Sequence, residues 1–182
     1  MNSRRTFLAS AAATLATPAF AFKLDPILEP QYVAMDPAVA AQQILVLPRA
    51  RFLYFIDQPG RALRYGVGVG QAGLDFQGEA IIQVKKEWPT WRPTNEMIER
   101  DPRAYAKFVD NDYVQPGGPG NPLGARALYL FQNGRDTYYR IHGTTAPRSI
   151  GQAASNGCIR MLNDHVVDLY DRVPRGTKVT VL

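Results

Sequence analysis

From Gln43 onward, the chain alternates short runs rich in β-branched and aromatic residues with turns rich in Gly, Pro and Asn. Its strongest hairpin signal is Asn133-Gly134, which separates the runs 127–132 and 137–142 and suits the positive φ angles of a type I′ turn. Further runs cover 44–47, 51–57, 62–69, 80–86 and 177–182. This spacing predicts a mainly β fold, either a β-sandwich or a partly closed barrel.

Two segments favour short helices instead. In 163–173 the apolar residues are spaced three or four apart, which places them on one helical face. A shorter helix is predicted over 94–100, with Thr94 or Asn95 as its N-cap. Residues 115–124 are rich in Gly and Pro and are expected to form a loop that lines or covers a site.

Length and composition are those of one globular domain. The chain has 182 residues, of which 46% are apolar and 20% are charged, so a disordered chain is not expected. The formal net charge is +5, and Arg4 and Arg5 account for two of the positive charges. We find no basic cluster, so nucleic-acid binding is not predicted. No stretch reaches the roughly 18 apolar residues that a membrane span requires.

The first residues have the order of an export signal. Residues 3–8 read Ser-Arg-Arg-Thr-Phe-Leu, an alanine-rich apolar run follows, and Ala-Phe-Ala precedes a cut after Ala21. Segment 1–21 is therefore predicted to be a twin-arginine signal peptide that directs a folded protein to the periplasm. The alternative is a short amphipathic helix that stays attached. Residues 22–42 are rich in proline and are expected to form an N-terminal tether, which leaves 43–182 as the catalytic domain.

Three residues after the signal are suited to nucleophile and base chemistry near neutral pH: His142, Cys158 and His165. In contact, a thiol with an ordinary pKa of about 8.5 and an imidazole with one of about 6.5 can exchange a proton and give a thiolate nucleophile. His142 ends the second hairpin strand, and the loop 143–157 can bring Cys158 back to it. Gly157 allows a tight turn whose backbone N–H groups point at a developing oxyanion.

Each of these residues also has an ordinary structural interpretation. A lone cysteine is often a small buried hydrophobe, and a lone histidine at a strand end is often a satisfied core or surface residue. His165, early in the predicted helix, is expected to be an ordinary surface residue. A zinc site formed by His142, Cys158 and His165 matches no familiar ligand spacing, so no metal is predicted.

Substrate contacts are expected from one arginine and two tryptophans. An extended chain from Cys158 to Met161 places Cys158 and Arg160 on one face, whereas Ile159 and Met161 face the core. The Arg160 guanidinium is then placed to hold a substrate carboxylate, which points to an acidic peptide, although many arginines are merely solvated charges. Trp88 and Trp91 lie among prolines and could form an aromatic wall, and the alternative is that at least one of them belongs to the core.

Two motifs carry a resemblance to a known family. Segment 141–144 reads Ile-His-Gly-Thr, and segment 155–161 reads Ser-Asn-Gly-Cys-Ile-Arg-Met. Together with 65–70 (Tyr-Gly-Val-Gly-Val-Gly) and 121–127 (Asn-Pro-Leu-Gly-Ala-Arg-Ala), they make residues 43–182 similar to the L,D-transpeptidase catalytic domain of YkuD type. The resemblance implies that family's mainly β fold and acyl transfer in the bacterial cell wall, without a cofactor or a metal.

The resemblance also implies catalytic roles. Cys158 would attack the L-to-D peptide bond between meso-diaminopimelate and the terminal D-Ala of a peptidoglycan tetrapeptide stem. His142 would be the general base, and the backbone carbonyl of Gly143 would orient its imidazole. Backbone N–H groups around Asn156, Gly157 and Cys158 would form the oxyanion hole.

Substrate binding is implied for a second group of residues. Arg160 would engage the diaminopimelate carboxylate, and Ser155, Trp88 and Trp91 are the other substrate-binding candidates. One position departs from the family, because Asn156 stands where Ser-His-Gly-Cys is common. In the family this histidine is not the base, so its replacement puts loop geometry and substrate preference in question rather than the proton acceptor.

Three functions follow from these expectations. The first is a periplasmic L,D-transpeptidase whose thioester is resolved by an amine of another stem peptide, of a lipoprotein or of a small molecule. The second is an L,D-carboxypeptidase or endopeptidase that hydrolyses the same acyl-enzyme. The third is a non-catalytic wall-binding module, for which Asn156 is the main argument. The family's sensitivity to carbapenems further implies a covalent adduct at Cys158.

Overall fold

A computed structural model describes residues 22–74 and 76–182, so the predicted signal peptide at 1–21 lies outside the described residues. The strands of this part are β1 (Gln31–Ala34), β2 (Gln43–Leu47), β3 (Phe52–Gln58), β4 (Arg61–Gly66), β5 (Val69–Gly70), β6 (Gly78–Glu87), β7 (Arg126–Gln132), β8 (Arg135–His142), β9 (Ala153–Ser155), β10 (Ile159–Arg160) and β11 (Lys178–Val181). The helices are α1 (Asn95–Arg100) and α2 (Asn163–Arg172), and short 3-10 helices cover Pro26–Leu28, Ala106–Phe108 and Pro147–Ser149. Among the described residues, no helix is long and apolar enough to cross a membrane.

Most strands join one large mixed sheet. Its order is β1-β4-β3-β2-β11-β6-β7-β8-β10, and β5 pairs with β9 in a separate two-stranded sheet. Within the large sheet, β2 and β11 are parallel, as are β8 and β10, whereas the other neighbours are antiparallel. The mainly β prediction with two helices is confirmed. The large sheet is open at β1 and β10, so it is not a closed barrel.

The predicted hairpin is confirmed as β7 and β8. Asn133 and Gly134 both have positive φ angles, 52° and 75°, as a type I′ turn requires. Farther along, the ladder is irregular, because Leu130 of β7 lies opposite the three residues Thr137 to Tyr139 of β8. This bulge changes the direction of β8 just before it reaches His142.

Helix α2 packs its apolar face on the sheet, beside β7 and β8. Val166 and Leu169 are fully buried there. His165, predicted to be a surface residue, is also buried, and its Nε2 lies 3.2 Å from a carboxylate oxygen of Glu29. That prediction was wrong because His165 and Leu169 are four residues apart and therefore share the core-facing side of the helix.

One continuous core fills the space between the sheet and α2. Its largest fully buried side chains are Ile44, Leu53, Tyr65, Ile82, Leu128, Leu130, Ile141, Met161 and Leu169. The Tyr65 hydroxyl donates a hydrogen bond of 2.6 Å to Asp168 on α2, so this buried phenol is satisfied.

The segment predicted as a tether is folded onto the domain. Strand β1 pairs in antiparallel fashion with β4 and forms one edge of the sheet. The preceding 3-10 helix brings Leu28 against Gly66 and Gly151, where any side chain in place of the glycine hydrogen would collide with it. Pro26 is the first residue of this 3-10 helix, a position that tolerates proline because its N–H group would have no partner within the helix. The tether prediction for 22–42 was therefore wrong for this packed part.

Two adjacent residues of β6 test the position of the core. Ile82 is fully buried, whereas Ile81 is 44% exposed on the other face of the strand. We expect Ile82→Ala to lower the free energy of unfolding by about 2–5 kcal/mol, because it leaves a cavity. The matched change Ile81→Ala should cost no more than about 1 kcal/mol. Urea unfolding of both variants checks this, and equal losses would contradict the assigned faces of β6.

Candidate active site

A cleft of about 380 Å³ opens beside the β8 end of the sheet. One wall comes from β8, the turn before β10, and β10 itself. The other comes from segment 91–105, which contains α1, and from Pro122 and Leu123 of the Gly- and Pro-rich loop. The prediction that this loop lines a site is confirmed. The candidates that line the cleft are Trp91, His142, Ser155, Asn156, Cys158 and Arg160.

The pairing of β10 with β8 brings Cys158 near His142. The two strands are parallel, with Ile159 beside Ile141 and Arg160 beside His142. Ile159 is buried in the core, whereas Cys158 and Arg160 line the cleft. The predicted alternation of this segment is confirmed, and it gives Cys158 and His142 one common face.

His142 is held in one tautomer. Its Nδ1 lies 2.5 Å from the carbonyl oxygen of Gly143, and a carbonyl can only accept, so Nδ1 carries the proton. Nε2 therefore carries the lone pair of the neutral ring. Burial of the imidazole lowers its pKa to about 4, and the positive charges of Arg160 and Arg140 act in the same direction. The backbone carbonyls of Gly143 and Leu123 oppose this shift, and His142 is neutral at neutral pH.

Tight packing fixes the Gly143 carbonyl. The side-chain oxygen of Asn163, the first residue of α2, accepts hydrogen bonds from the N–H groups of Ala125 (3.0 Å) and Thr144 (3.2 Å). A Cβ atom at Gly143 would collide with this oxygen. The start of α2 thus ties the residue after His142 to the start of β7, which explains why glycine occupies position 143.

Cys158 has a neutral thiol in this environment. Its Sγ donates a long hydrogen bond of 3.8 Å to the carbonyl oxygen of Tyr138. Burial raises the pKa of the thiol, while the backbone N–H of Arg140 and the charges of Arg140 and Arg160 oppose that shift. The thiolate–imidazolium pair considered from the sequence is therefore not the resting state, because burial favours the uncharged form of both groups.

The bulge in β8 sets the surroundings of the sulfur, and sequence reasoning missed it. Tyr138 has a φ angle of 62°, and its N–H donates to Asp136 Oδ1 at 2.8 Å. The Thr137 hydroxyl donates to the Leu130 carbonyl at 2.6 Å. Arg140 forms a two-point ion pair with Asp136 at 2.7 and 2.8 Å. The available signal was Asp and Thr inside a strand, since both residues readily bond to nearby backbone groups.

Ser155 and Gly157 shape the turn before Cys158. The buried Ser155 hydroxyl donates to the Cys158 carbonyl (2.6 Å) and accepts from the Gly157 N–H (3.1 Å). Both hydrogen bonds of the Ser155 hydroxyl lie within the turn and stabilise it, and the substrate contact of this cleft residue stays a prediction. The Gly157 N–H is likewise occupied and is not the oxyanion donor that was predicted. Within the described residues, the N–H groups of Asn156 and Cys158 have no hydrogen-bond acceptor.

Gly157 is required by close contacts. Its φ angle is 117°, and a Cβ atom there would collide with the carbonyl oxygen of Leu74 and the ring of Tyr139. The side chain of Asn156, one residue earlier, instead reaches across the cleft. Its Oδ1 accepts from Arg100 at 2.9 Å, and its Nδ2 donates to the Tyr105 hydroxyl at 3.3 Å.

The two tryptophans differ in their position relative to the cleft. Trp91 lines the cleft and packs edge-on against Phe108, with ring centroids 5.2 Å apart, and close to Tyr105. Trp88 is 45% exposed and does not line the cleft, so its predicted substrate contact is not supported. Neither residue is fully buried and neither belongs to the core cluster, so the core alternative was wrong for both.

His165 contacts Glu29 and lies outside the cleft, so His142, Cys158 and His165 do not form one site. Across residues 22–74 and 76–182, no group of three or more His, Cys, Asp or Glu side chains is arranged to hold a metal ion.

Comparison with known proteins agrees with this geometry. The YkuD family model, described as the L,D-transpeptidase catalytic domain, matches residues 41–181. The probable L,D-transpeptidase ErfK/SrfK of Escherichia coli is 35% identical over 156 residues, which make up 84% of this chain and 47% of the relative. This chain thus spans about half the length of that curated relative.

Solved structures give the same fold. A probable carnitine operon oxidoreductase from Brucella melitensis is 53% identical with a TM-score of 0.59, and the match covers 87% of this chain and 96% of that one. An L,D-transpeptidase from Mycobacterium smegmatis is 16% identical with a TM-score of 0.56, and the match covers 77% and 58% of the two chains. The name of the Brucella protein refers to an oxidoreductase, whereas the family model and the Escherichia coli relative refer to L,D-transpeptidases. With the family model matching residues 41–181, the chain belongs to the L,D-transpeptidase catalytic domain family.

Proposed function

We propose that this chain is a periplasmic peptidoglycan L,D-transpeptidase that uses Cys158 as its nucleophile. One observation carries the proposal: a neutral, oriented imidazole ends the strand that pairs directly with the segment leading out of Cys158. Family membership supports the reaction class. The substrate would be the tetrapeptide stem of peptidoglycan, and the bond broken would join diaminopimelate to the terminal D-Ala.

In the first half-reaction, Nε2 of His142 accepts the thiol proton as the Cys158 sulfur forms a bond to the scissile carbonyl carbon. The Gly143 carbonyl stabilises the imidazolium that results, because it accepts a hydrogen bond from Nδ1. The imidazolium then gives its proton to the departing D-Ala amine, and a thioester remains. A general base of this kind typically contributes a factor of about 10² to 10⁴ in rate.

The developing oxyanion needs donors that are not already used. The N–H groups of Cys158 and Asn156 meet this requirement, and the turn held by the Ser155 hydroxyl preorganises them. We assign the oxyanion hole to these two N–H groups and exclude that of Gly157.

In the second half-reaction, an acceptor amine attacks the thioester and gives its proton to His142, and the Cys158 sulfur leaves. The acceptor would be another stem peptide, a lipoprotein or a small amine. Water in the same place would give hydrolysis. Arg160 lines the cleft beside the nucleophile, and its guanidinium would hold the diaminopimelate carboxylate through paired hydrogen bonds.

Substitutions of Cys158 and of the two histidines test which of these residues take part in catalysis. We expect Cys158→Ala to abolish the acyl-enzyme, and His142→Gln to lower kcat/KM by a factor of about 10² to 10⁴. The matched variant His165→Gln should keep its activity, because His165 lies outside the cleft. Mass spectrometry of the protein after exposure to tetrapeptide muropeptides, or to a carbapenem, measures the adduct.

Product analysis of the same reactions distinguishes the candidate functions. Crosslinked dimers in the wild type support transfer, whereas tripeptides without dimers would assign hydrolysis. An acyl-enzyme that survives in Cys158→Ala, or full activity in His142→Gln, would contradict the proposed chemistry. A folded wild type that never forms an adduct would support the non-catalytic wall-binding alternative.

The proposed compartment depends on the N-terminal sequence. The consecutive Arg4 and Arg5 match the twin-arginine signal, and a peptidoglycan substrate requires export. We expect the double variant Arg4→Lys, Arg5→Lys to stay in the cytoplasm, whereas Arg49→Lys should be exported normally. Cell fractionation measures both, and normal export of the double variant would contradict the twin-arginine route.

A further inference from the structure

The cleft that holds Cys158 carries positive charge from two directions. Of the described side chains that line it, the ones charged at neutral pH are Arg100 and Arg160, and no Asp or Glu of residues 22–74 and 76–182 is among them. Arg160 projects from β10 beside the nucleophile. Arg100 is the last residue of α1 and belongs to the opposite wall. A ligand that fits between these walls therefore faces one guanidinium from each.

The Asn156 side chain holds Arg100 in place. Its Oδ1 accepts a 2.9 Å hydrogen bond from Nη1 of Arg100, while its Nδ2 donates to the Tyr105 hydroxyl at 3.3 Å. Tyr105 in turn packs near Trp91, another cleft residue, with ring centroids 6.2 Å apart. Asn156 is also close to the nucleophile in sequence, so it links the catalytic turn to the opposite wall.

Most donors of Arg100 remain available. A guanidinium has five N–H donors, and among the described residues the Arg100 group uses one of them, for Asn156. The carboxyl group of Glu96, one helical turn earlier, feels the charge of Arg100 but forms no ion pair with it within 4.0 Å. Arg140 differs, because Asp136 neutralises its guanidinium. Within the part of the chain that the structure describes, Arg100 is thus oriented, exposed to the cleft and without a carboxylate partner.

We propose that Arg100 binds a second carboxylate of the peptide substrate, and that Asn156 is the positioning residue for its guanidinium. The preferred ligand is then a peptide with two carboxylates, one read by Arg160 and the other by Arg100. This inference rests on the proposed function for the identity of the peptide.

The test measures peptide binding in the Cys158→Ala background, where no reaction consumes the ligand. The probes are a synthetic tetrapeptide stem and versions in which each carboxylate in turn is replaced by its primary amide. Calorimetry gives Kd for each probe with Arg100→Gln, Arg160→Gln and the control Arg103→Gln. Arg103 is a suitable control because it is an exposed arginine just after α1 that does not line the cleft.

With Arg100 intact, we expect amidation of either recognised carboxylate to weaken binding by at least about tenfold. Arg100→Gln should weaken binding of the unmodified peptide to a similar degree and remove the effect of amidating one carboxylate. Arg160→Gln should remove the effect of amidating a different carboxylate of the peptide. Arg103→Gln should keep both effects.

Two variants of Asn156 test its positioning role. Asn156→Ala should lower the affinity for the carboxylate form more than that for the matching amide, because the freed guanidinium has more rotamers to lose on binding. Asn156→Asp should abolish the preference for the carboxylate, because the new carboxylate forms an ion pair with Arg100. A purely structural role would change the affinity for carboxylate and amide equally.

The outcomes separate this inference from the proposed function. If the unmodified peptide binds and Arg100→Gln keeps every amide effect, the inference is overturned and the proposed function stands. If Arg100 reads a carboxylate but the protein with Cys158 forms no thioester, the inference stands and the proposed function fails. If none of the peptides binds, both are overturned.

Discussion

The short parallel pairing of β10 with β8 is the constraint on which the site depends. Strand β10 is held from both sides. The Met161 N–H donates to the His142 carbonyl at 2.8 Å, and Arg160 exchanges two backbone hydrogen bonds with Gly68, of 2.8 and 2.9 Å. A side chain at Gly68 would collide with the carbonyl oxygen of Ser149, so this approach requires glycine. Because the register is fixed, Cys158, which precedes β10, and His142, the last residue of β8, face the same cleft.

Burial then decides the charge state of that pair. A pKa near 4 for His142 corresponds to about 3 kcal/mol against the imidazolium, relative to an exposed histidine. The same surroundings disfavour the thiolate of Cys158. In the proposed mechanism, the neutral thiol transfers its proton to the neutral imidazole as the bond to substrate forms, when donors already in place compensate the charge on the oxyanion. Such a site is less open to oxidation at rest than a site with a permanent thiolate.

Features set by local sequence were predictable, and features set by distant contacts were not. The Asn133-Gly134 turn was predictable because Asn and Gly readily adopt positive φ angles. The placement of His142 and Cys158 at one cleft was predictable from the spacing of their two motifs. The bulge at Tyr138 was missed because its position is set by the pairing of β8 with β7, where the Thr137 hydroxyl bonds to the Leu130 carbonyl. The link between Asn156 and the opposite wall was missed because it joins residues that are distant in the chain. The same limit applies to residues 24–34. Their packing depends on Gly66 and Gly151, which lie far away in the chain and leave room for Leu28.

The central claim is that His142 is a neutral base, protonated on Nδ1 and oriented by the Gly143 carbonyl. Nitrogen-15 NMR of the imidazole tests this directly, since the chain has 2 histidines and His142→Gln identifies the signals. The account predicts an Nδ1–H tautomer that stays neutral from pH 8 down to about pH 5 and takes up a proton only near its pKa of about 4. An imidazolium at neutral pH, or a neutral ring protonated on Nε2, would contradict it.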